Sequence, residues 1–394
     1  MGIIFSSFNG LEPKIRFASY SENYTICNIG DIFDERSERG SENLELLSVT
    51  MNDGVKKRTE IEGKDNSSED KGNYKIVYVG DMVYNSMRMW QGANGISPYD
   101  GIVSPAYTVL KASKPLCNKY IAYLFKNSDL INKFRKNSQG LTSDTWNLKY
   151  LQISTIKIYL PSLPEQQKIA DFLSLIDQRI EKQRRLVESL KKYKRGLFLK
   201  LYNDSEKSIT LFKNIYKMAS EGGTPSTLDA ENYENGTIPF IKIDDLNQHY
   251  LISAKYFITE KGLKKSSAWI VPENSIIYSN GATIGACSIN KIPVTTKQGI
   301  LGIVPKSNFS VEFLYFLFTS SVFKQKIRAI TTKGTMDSAY LKDINGIKIS
   351  IPDFIAQQKI AKIMVDFENL IERTELSFIY LQNIKKALLQ QMFI

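Results

Sequence analysis

Basic, amide and hydroxyl side chains cluster in turn-rich stretches early in the chain. The cations of Lys56, Lys57 and Arg58 suit phosphate oxygens, which bind Lys and Arg side chains, hydroxyls and backbone amides. Short or bidentate polar side chains that follow suit the donors and acceptors on base edges. These candidate base contacts are Asn85, Ser86, Arg88 and Gln91, with Trp90 and Tyr107 as apolar or stacking neighbours.

A second cluster of the same chemical character begins at the glycine pair 222–223. Gly223, Thr224 and Ser226 are candidates for bringing backbone amides to a phosphate. For any one residue of either cluster the alternative is an ordinary turn or a structural polar group, and we expect only a minority to touch nucleic acid. The remaining candidate contacts of the second cluster are Ser279, Asn280, Thr296, Lys297, Gln298 and Lys333.

The sequence lacks the common catalytic motifs. It contains no G-x-x-x-x-G-K-[ST] stretch for nucleotide-driven translocation, no D/N-P-P-Y/F tetrad of an amino-methyltransferase and no P-D followed by E-x-K as in carboxylate nucleases. His249 is the only histidine, which by itself indicates neither a catalytic triad nor a metal site. We therefore expect a non-catalytic chain that binds no cofactor or metal. A self-contained enzyme with an unfamiliar site is the alternative.

Composition favours a polyanionic partner. The formal net charge is +11 and the pI is about 9.2, which places nucleic acid ahead of membrane. Cys27, Cys117 and Cys287 are too far apart for a C-x-x-C pair, so we expect a reducing compartment with neither disulfides nor a zinc ribbon. The apolar run 313–318 is too short to span a bilayer and the start has no signal-peptide pattern, so we expect a cytoplasmic protein.

One motif occurs twice. The sequence QQKI at 166–169 returns at 357–360, 191 positions later, and the match extends without a gap from 156–158 with 347–349 to Leu197 with Leu388. Solenoid repeats have periods of roughly 20–50 residues, so this period is too long for a solenoid. The sequence therefore predicts two copies of a whole unit, each a domain followed by a helix, related by a pseudo-two-fold axis.

Each repeated stretch carries apolar residues at alternating spacings of four and three, which is typical of a coiled-coil seam. Polar residues interrupt both seams at matching places, Gln183 with Thr374 and Lys194 with Lys385, and such residues often fix register. Each helix could instead pack only on its own domain, but the matched seams favour pairing of the two helices. The predicted seam consists of Ile169, Leu173, Ile176, Ile180, Val187, Leu190 and Leu197 in one copy and Ile360, Met364, Phe367, Ile371, Phe378, Leu381 and Leu388 in the other.

Start signals and composition define four segments. Ser162 and Asp353 are good N-caps at equivalent positions, and Glu165 extends Ser162 into a potential capping box. Helices are predicted within 158–207 and 349–394. The segments 1–157 and 208–348 are predicted to be globular domains of short strands and turns, with an amphipathic helix near 117–135 and 310–328. The predicted fold class is α+β, with two mixed α/β domains joined by two long antiparallel coiled-coil helices.

This order of segments, with Q-Q-K-I-A in each helix, resembles the specificity subunit of Type I restriction–modification systems, the HsdS family, over nearly the whole chain. One departure is Ala356 at the position of Glu165. The second domain resembles one common type of target recognition domain and the first a different type. The motifs are GGTPS at 222–226, IPFI at 238–241, SNGATIG at 279–285, TTKQ at 295–298 and KGT at 333–335, and, in the first domain, GDMVYN at 80–85, MRMWQG at 87–92 and GIVSPAY at 101–107.

The resemblance implies that each domain reads one half of an asymmetric, interrupted target in double-stranded DNA and that the helix pair sets the gap. It implies two modification subunits that use S-adenosylmethionine and two restriction subunits that use ATP and magnesium. The outward faces of the helices, with Phe172, Phe198, Leu370 and Phe393, are the expected docking surface. The alternative is a coiled-coil interaction scaffold whose domains do not touch DNA.

Overall fold

The computed structural model describes residues 12–40, 44–51, 53–63, 67–143, 145–246, 248–281, 283–331 and 338–394, together with the backbone of 3–5. The chain divides into a first unit, Met1–Arg184 with Leu376–Ile394, and a second unit, Arg185–Glu375. Both divisions fall inside the two long helices, so each unit contains the beginning of one long helix and the end of the other.

Before the first long helix, the described residues form a run of short strands followed by three short helices and one more strand. The elements are β1 (Ile3–Phe5), β2 (Ile15–Phe17), β3 (Thr25–Asn28), β4 (Phe33–Glu35), β5 (Leu47–Thr50), β6 (Gly54–Lys57), β7 (Lys75–Val77), β8 (Met82–Asn85), β9 (Asn94–Ile96), β10 (Gly101–Val103), β11 (Tyr107–Ala112), α1 (Asn118–Leu124), α2 (Ser128–Asn137), α3 (Tyr150–Ile153), β12 (Lys157–Leu160) and α4 (Leu163–Asp204). Strands β4, β11, β8 and β9 form an antiparallel sheet in that order. The pairs β1–β2, β3–β12, β5–β6 and β7–β10 are two-stranded.

The second half of the chain has a related order with larger sheets. Its elements are β13 (Ser208–Leu211), β14 (Tyr216–Glu221), β15 (Ile238–Ile241), β16 (Tyr250–Leu251), β17 (Tyr256–Ile258), α5 (Glu260–Lys264), β18 (Ile276–Ser279), β19 (Cys287–Asn290), β20 (Thr295–Thr296), β21 (Ile300–Pro305), α6 (Val311–Thr319), α7 (Ser321–Ile330), α8 (Leu341–Ile344), β22 (Lys348–Ile351) and α9 (Phe354–Gln391). One sheet has the order β14-β21-β18-β19-β16, another β17-β15-β20, and β13 pairs with β22. Here β16–β19 and β15–β20 are parallel, and the other pairs are antiparallel.

The predicted pair of long helices is confirmed as α4 and α9, and none of the predicted seam residues is exposed. In the first unit, Ile169 and Leu173 near the start of α4 lie in one core cluster with Phe393, just past the end of α9. In the second unit, Phe198 near the end of α4 shares a core with Ile360 near the start of α9. The helices are therefore antiparallel within each unit.

The repeated glutamines explain the repeated motif. Gln166 accepts a hydrogen bond at Oε1 from the Cys117 backbone N–H (3.1 Å) and donates from Nε2 to the Pro161 carbonyl (3.0 Å). Gln357 makes the same two bonds, with the Ser310 N–H and the Pro352 carbonyl, both at 2.9 Å. Each glutamine is buried and ties the first turn of a long helix to the start of α1 or α6. Unpaired backbone groups would be costly at such buried positions.

The two predicted caps have different outcomes. Asp353 caps α9, since its Oδ1 accepts a hydrogen bond from the Ala356 N–H at 2.8 Å. The capping box proposed for Glu165 is wrong. Its carboxylate instead accepts from Nε and Nη2 of Arg16 at 2.9 and 2.8 Å, and both side chains are almost fully buried. The hydrogen bond to Glu165, opposed in part by burial, raises the pKa of Arg16.

Both lysines of the polar seam positions pair with an acid on the opposite long helix. In the first unit, Nζ of Lys385 lies 2.6 Å from Oδ1 of Asp177, whose Oδ2 accepts from the Tyr123 hydroxyl at 2.7 Å. In the second unit, Lys194 contacts Glu368, which also contacts Nδ1 of His249. Each acid therefore contacts both the other long helix and the globular domain of its unit.

His249 is held by aromatic rings. Tyr250 and Tyr315 stack on its two sides, with ring centroids 4.0 and 3.9 Å away. Burial of Glu368 works to raise its pKa, but the hydrogen bond and charge of His249 and the charge of Lys194 outweigh burial and hold the pKa of Glu368 below its ordinary value. The only histidine of the chain is thus a structural contact of a helix carboxylate.

Candidate nucleic-acid interface

The end of β8 and the turn after it form an exposed polar surface on the first unit. Asn85 shapes this turn, because its Oδ1 accepts from the Met87 N–H at 3.0 Å. Trp90 braces it by donating from Nε1 to the Met87 carbonyl at 3.1 Å. Arg88 and Gln91 are exposed, so both can reach an external ligand. Tyr107, which pairs with Asn85 across the sheet, is half-buried.

The basic run lies on the neighbouring β5–β6 hairpin. Lys56 and Lys57 are half-exposed and carry loose ion pairs with Asp53 (3.4 Å) and Glu45 (3.7 Å). Such exposed pairs contribute roughly 0–1 kcal/mol, so both ammonium groups can exchange partners. Arg58 is engaged differently: it donates to the carbonyls of residues 61 and 63 at 2.8 and 3.0 Å, and so builds its own turn.

Lys126 ties the two surfaces together and was not predicted. Its Nζ donates to the Met51 carbonyl at 2.8 Å and to the Gly92 carbonyl at 2.5 Å. Burial, with a smaller contribution from the charge of Lys385, lowers the pKa of Lys126 to about 8. A lysine in a short helix–helix connection gives no sequence signal for this role, since both of its acceptors are main-chain atoms distant in sequence.

On the second unit the exposed candidates surround the glycine pair at 222–223. Thr224, Ser226, Lys297 and Gln298 are exposed. Oγ1 of Thr224 lies 3.4 Å from the Gln298 N–H, which brings the two loops together. Lys333 lies outside the described residues.

The structure buries five of the predicted contacts. Ser86 shares a hydrogen bond of 2.8 Å with Thr108, and Thr296 donates to the Ile300 carbonyl at 3.1 Å. Asn280 donates to the Ala339 carbonyl at 3.2 Å, and Ser279 is fully buried beside it. Gly223 packs so tightly that a Cβ atom would lie 2.3 Å from Oγ of Ser267. These polar groups belong to the interior of their domains.

The described residues contain no group of three or more His, Cys, Asp or Glu side chains that could hold a metal ion. Nor does any helix among them have the length and apolar character needed to cross a membrane. The candidate surfaces of the two units are exposed and polar. Their chemistry, cations beside amides and hydroxyls, suits a nucleic acid.

Comparison with known proteins gives the family. The family model described as Type I restriction modification DNA specificity domain matches twice, at residues 21–191 and 212–379. A Type I restriction enzyme MjaIX specificity subunit of Methanocaldococcus jannaschii is 34% identical over 185 residues, which are 46% of this chain and 42% of the relative. The EcoR124I/EcoR124II specificity subunit of Escherichia coli is 31% identical over 153 residues, 38% of each chain. These alignments span less than half the length of either relative.

The fold has a solved counterpart. A chain from a structure titled as the basis of complex assembly and conformational transition of the type I R-M system superposes with a TM-score of 0.65. The superposition covers 93% of this chain and 96% of that one at 15% sequence identity, so it shows a shared fold. Together with the two family-model matches, which cover most of the sequence, this establishes that the chain belongs to the family of Type I restriction modification DNA specificity domains and carries two copies.

Proposed function

We propose that this chain is the DNA-recognition subunit of a Type I restriction–modification complex. The observation that carries the proposal is the double match of a DNA specificity domain, one match for each unit. Each unit exposes cations, amides and hydroxyls on its own loops, at Arg88 and Gln91 in the first and Lys297 and Gln298 in the second. Each domain then reads one half of a double-stranded DNA target. Because the two surfaces differ in residues, the half-sites differ and the target is asymmetric.

The helix pair is proposed to set the gap between the half-sites. Its seam and its Lys–acid pairs fix the register of α4 against α9. Insertion of one heptad in both helices should then lengthen the gap and leave both half-sites unchanged. An unchanged gap in the methylated motif would show that the helices do not set it.

Catalysis is proposed to reside in partner subunits. Two modification subunits would supply S-adenosylmethionine and adenine methylation, and two restriction subunits would supply ATP- and magnesium-dependent cleavage, in the bacterial cytoplasm. Two of the four aromatic and aliphatic residues first expected to face such partners are buried, namely Phe198 and Phe393, and Phe172 packs edge-on against Phe17. Leu370, the fourth, is exposed. Other exposed apolar residues suited to docking are Leu175, Leu376 and Ile379 in the first unit and Leu186 and Ile363 in the second.

The first experiment is co-expression of the chain with a modification subunit of its system, followed by single-molecule mapping of adenine methylation across the genome. One asymmetric, interrupted motif that disappears when this chain is omitted is the expected result. Replacement of residues 208–348 by another such domain should change one half of that motif only.

Measuring binding to a duplex that contains the motif distinguishes a DNA-recognition subunit from a scaffold that binds only protein. Affinity should fall steeply as salt rises, because phosphate contacts release counterions. A stable complex that adds no methylation and has no salt-dependent affinity for DNA would instead support the scaffold. Cleavage or methylation of DNA by the chain alone would indicate a self-contained enzyme.

A further inference from the structure

A second loop lies against the exposed turn of the first unit. This tryptophan loop, residues 138–143 and 145–147, is closed by two backbone bonds between Gln139 and Asn147, at 2.9 and 2.7 Å. Just past it, the Leu148 N–H donates to the Ser86 carbonyl at 2.9 Å. The rings of Trp146 and Trp90 meet edge to face, 5.2 Å apart. The loop is thus part of the same surface as Arg88 and Gln91.

The tip of the tryptophan loop is braced and ends in an exposed leucine. Thr142 and Thr145 are joined by backbone and side-chain bonds of 3.0–3.2 Å. Gly140 has a φ of +147°, and a Cβ there would lie 2.6 Å from the Thr145 carbonyl oxygen, so the tip requires glycine. Leu141 follows with 101% exposure. A lone exposed leucine is ordinary, but this one lies at the tip of a loop that is closed by several hydrogen bonds.

Cations flank the tryptophan loop in the sequence, and one of them contacts its ring. The guanidinium of Arg135 lies over the Trp146 ring, 5.5 Å from its centroid, and Lys136 and Lys149 are exposed nearby in sequence. Helix α2, which leads into the loop, carries three cations and one acid, Asp129 in its first turn. An apolar tip flanked by cations and an aromatic pair complements a polyanion with stacked bases better than it complements an apolar protein surface.

Resting on the proposed function, we propose that the tryptophan loop contacts DNA beside the Asn85–Gln91 turn and that Leu141 is a wedge. Its side chain presses against a base step from the minor groove, while Arg135 holds a flanking phosphate. Leucine wedges of this kind partly unstack a step and bend the duplex. Flexible pyrimidine–purine steps deform most easily, so the wedge adds sequence preference without a hydrogen bond to a base.

The test uses the full chain in complex with the modification subunit and a duplex carrying the mapped motif. 2-Aminopurine is placed at successive positions in and beside the half-site of the first unit. Leu141→Ala should weaken binding by about tenfold, since it exposes apolar area that the wild type buries, and should abolish the rise in 2-aminopurine fluorescence. Its salt dependence should be unchanged, whereas Arg135→Gln should lower the salt slope by about 1.

Leu151→Ala is the matched control, because Leu151 is also exposed, at 76%, in the same domain on α3. It should bind as the wild type does. Wild-type affinity and fluorescence in Leu141→Ala would overturn the wedge and leave the proposed function standing. Loss of complex assembly in Leu141→Ala would make Leu141 a protein contact and also overturn the wedge. A wild-type complex without salt-dependent DNA binding would overturn the proposed function itself.

Discussion

The two units hold their recognition domains with the same atoms and present different atoms to solvent. Gln166 and Gln357 each bind a proline carbonyl and the first N–H of a domain helix, with distances that agree within 0.2 Å. The exposed turns share no such match: the first unit has two tryptophans in edge contact, and the second has Thr224 against Gln298. Each domain is therefore attached to its long helix through main-chain groups that both units share. The exposed surface proposed to contact DNA differs between the units.

The two units also differ in two contacts between the domain and its long helix. The buried Arg16–Glu165 pair locks the first domain to α4, and the second unit has Ala356 at the equivalent place. The helix carboxylate accepts from the Tyr123 hydroxyl in the first unit and contacts the imidazole of His249 in the second. The first unit is therefore attached by an additional buried charge pair and the second by an imidazole ring.

The largest expected effect tests the buried pair. Arg16→Met leaves the Glu165 carboxylate buried without its partner, which should lower the free energy of unfolding of the first unit by about 3–5 kcal/mol. The combined change Arg16→Met with Glu165→Leu should recover much of that loss, because an apolar pair needs no charge compensation. Chemical unfolding followed by segment-resolved hydrogen exchange measures both. Equal loss of protection in residues 208–348 would contradict the assignment to one unit.

The next largest expected loss of stability comes from replacing Gln166 or Gln357. Gln166→Ala and Gln357→Ala each leave a buried N–H and a buried carbonyl unpaired and should each cost about 2 kcal/mol. Gln167 and Gln358, the exposed neighbours in the same motif, are matched controls whose alanine variants should change stability by under about 0.5 kcal/mol. The measurement is the urea midpoint of each variant. A much larger effect at one glutamine than at the other would break the equivalence of the two anchors.

Surface substitutions should separate the two half-sites. Arg88→Gln should weaken binding by about tenfold when the half-site of the first unit is present and have no effect on discrimination in the other half. Lys297→Gln should act on the other half in the same way, or lower the salt slope by about 1 if it contacts phosphate. Competition with duplexes mutated in one half at a time measures this. Equal loss of discrimination in both halves would contradict independent reading.

The smallest expected effect is a pH dependence confined to the second unit. Because the folded pKa of Glu368 is lowered, its stabilisation is present above the ordinary value of 4.5 and is lost as pH falls through the folded pKa. Glu368→Gln should therefore flatten the decline of the unfolding midpoint below pH 4.5, by about 1 kcal/mol or less. Leu370→Gln on the exposed face of the same helix is the control. A parallel decline in wild type and Glu368→Gln would show that this carboxylate does not contribute.

Periodicity in the sequence was enough to predict both long helices and their pairing along a shared seam, because a repeat of this kind reports burial along one helix face. Their antiparallel direction was predicted from the duplication and the family resemblance. The polar seam positions Lys194 and Lys385 were found from the same repeat, although their acid partners, separated by most of a domain, were not. Glu165 was misassigned because a local capping pattern is visible in sequence and a partner 149 residues away is not.

The environment of the candidate contacts was harder to predict, for a different physical reason. Ser86, Thr296 and Asn280 have the chemistry of base readers, yet Ser86 bonds the Thr108 hydroxyl and the other two side chains donate to backbone carbonyls where strands end. Residue type does not distinguish the two uses. Trp146 and Arg135 were missed because their relation to Trp90 exists only after folding, although a tryptophan in a turn-rich segment was a usable signal.

The hydrogen bonds of Gln166 and Gln357 bear on whether the domains of such chains can be exchanged. Gln166 and Gln357 engage only main-chain groups of the domain that docks on them, Cys117 N–H and Ser310 N–H. A glutamine that binds a backbone N–H does not depend on the side chain of the residue that donates it. An unrelated domain that begins a helix there can therefore bind the same glutamine after genetic recombination, although a domain joined to α4 must also supply a partner for Glu165. The repeated helix sequences supply two matching crossover sites in one gene.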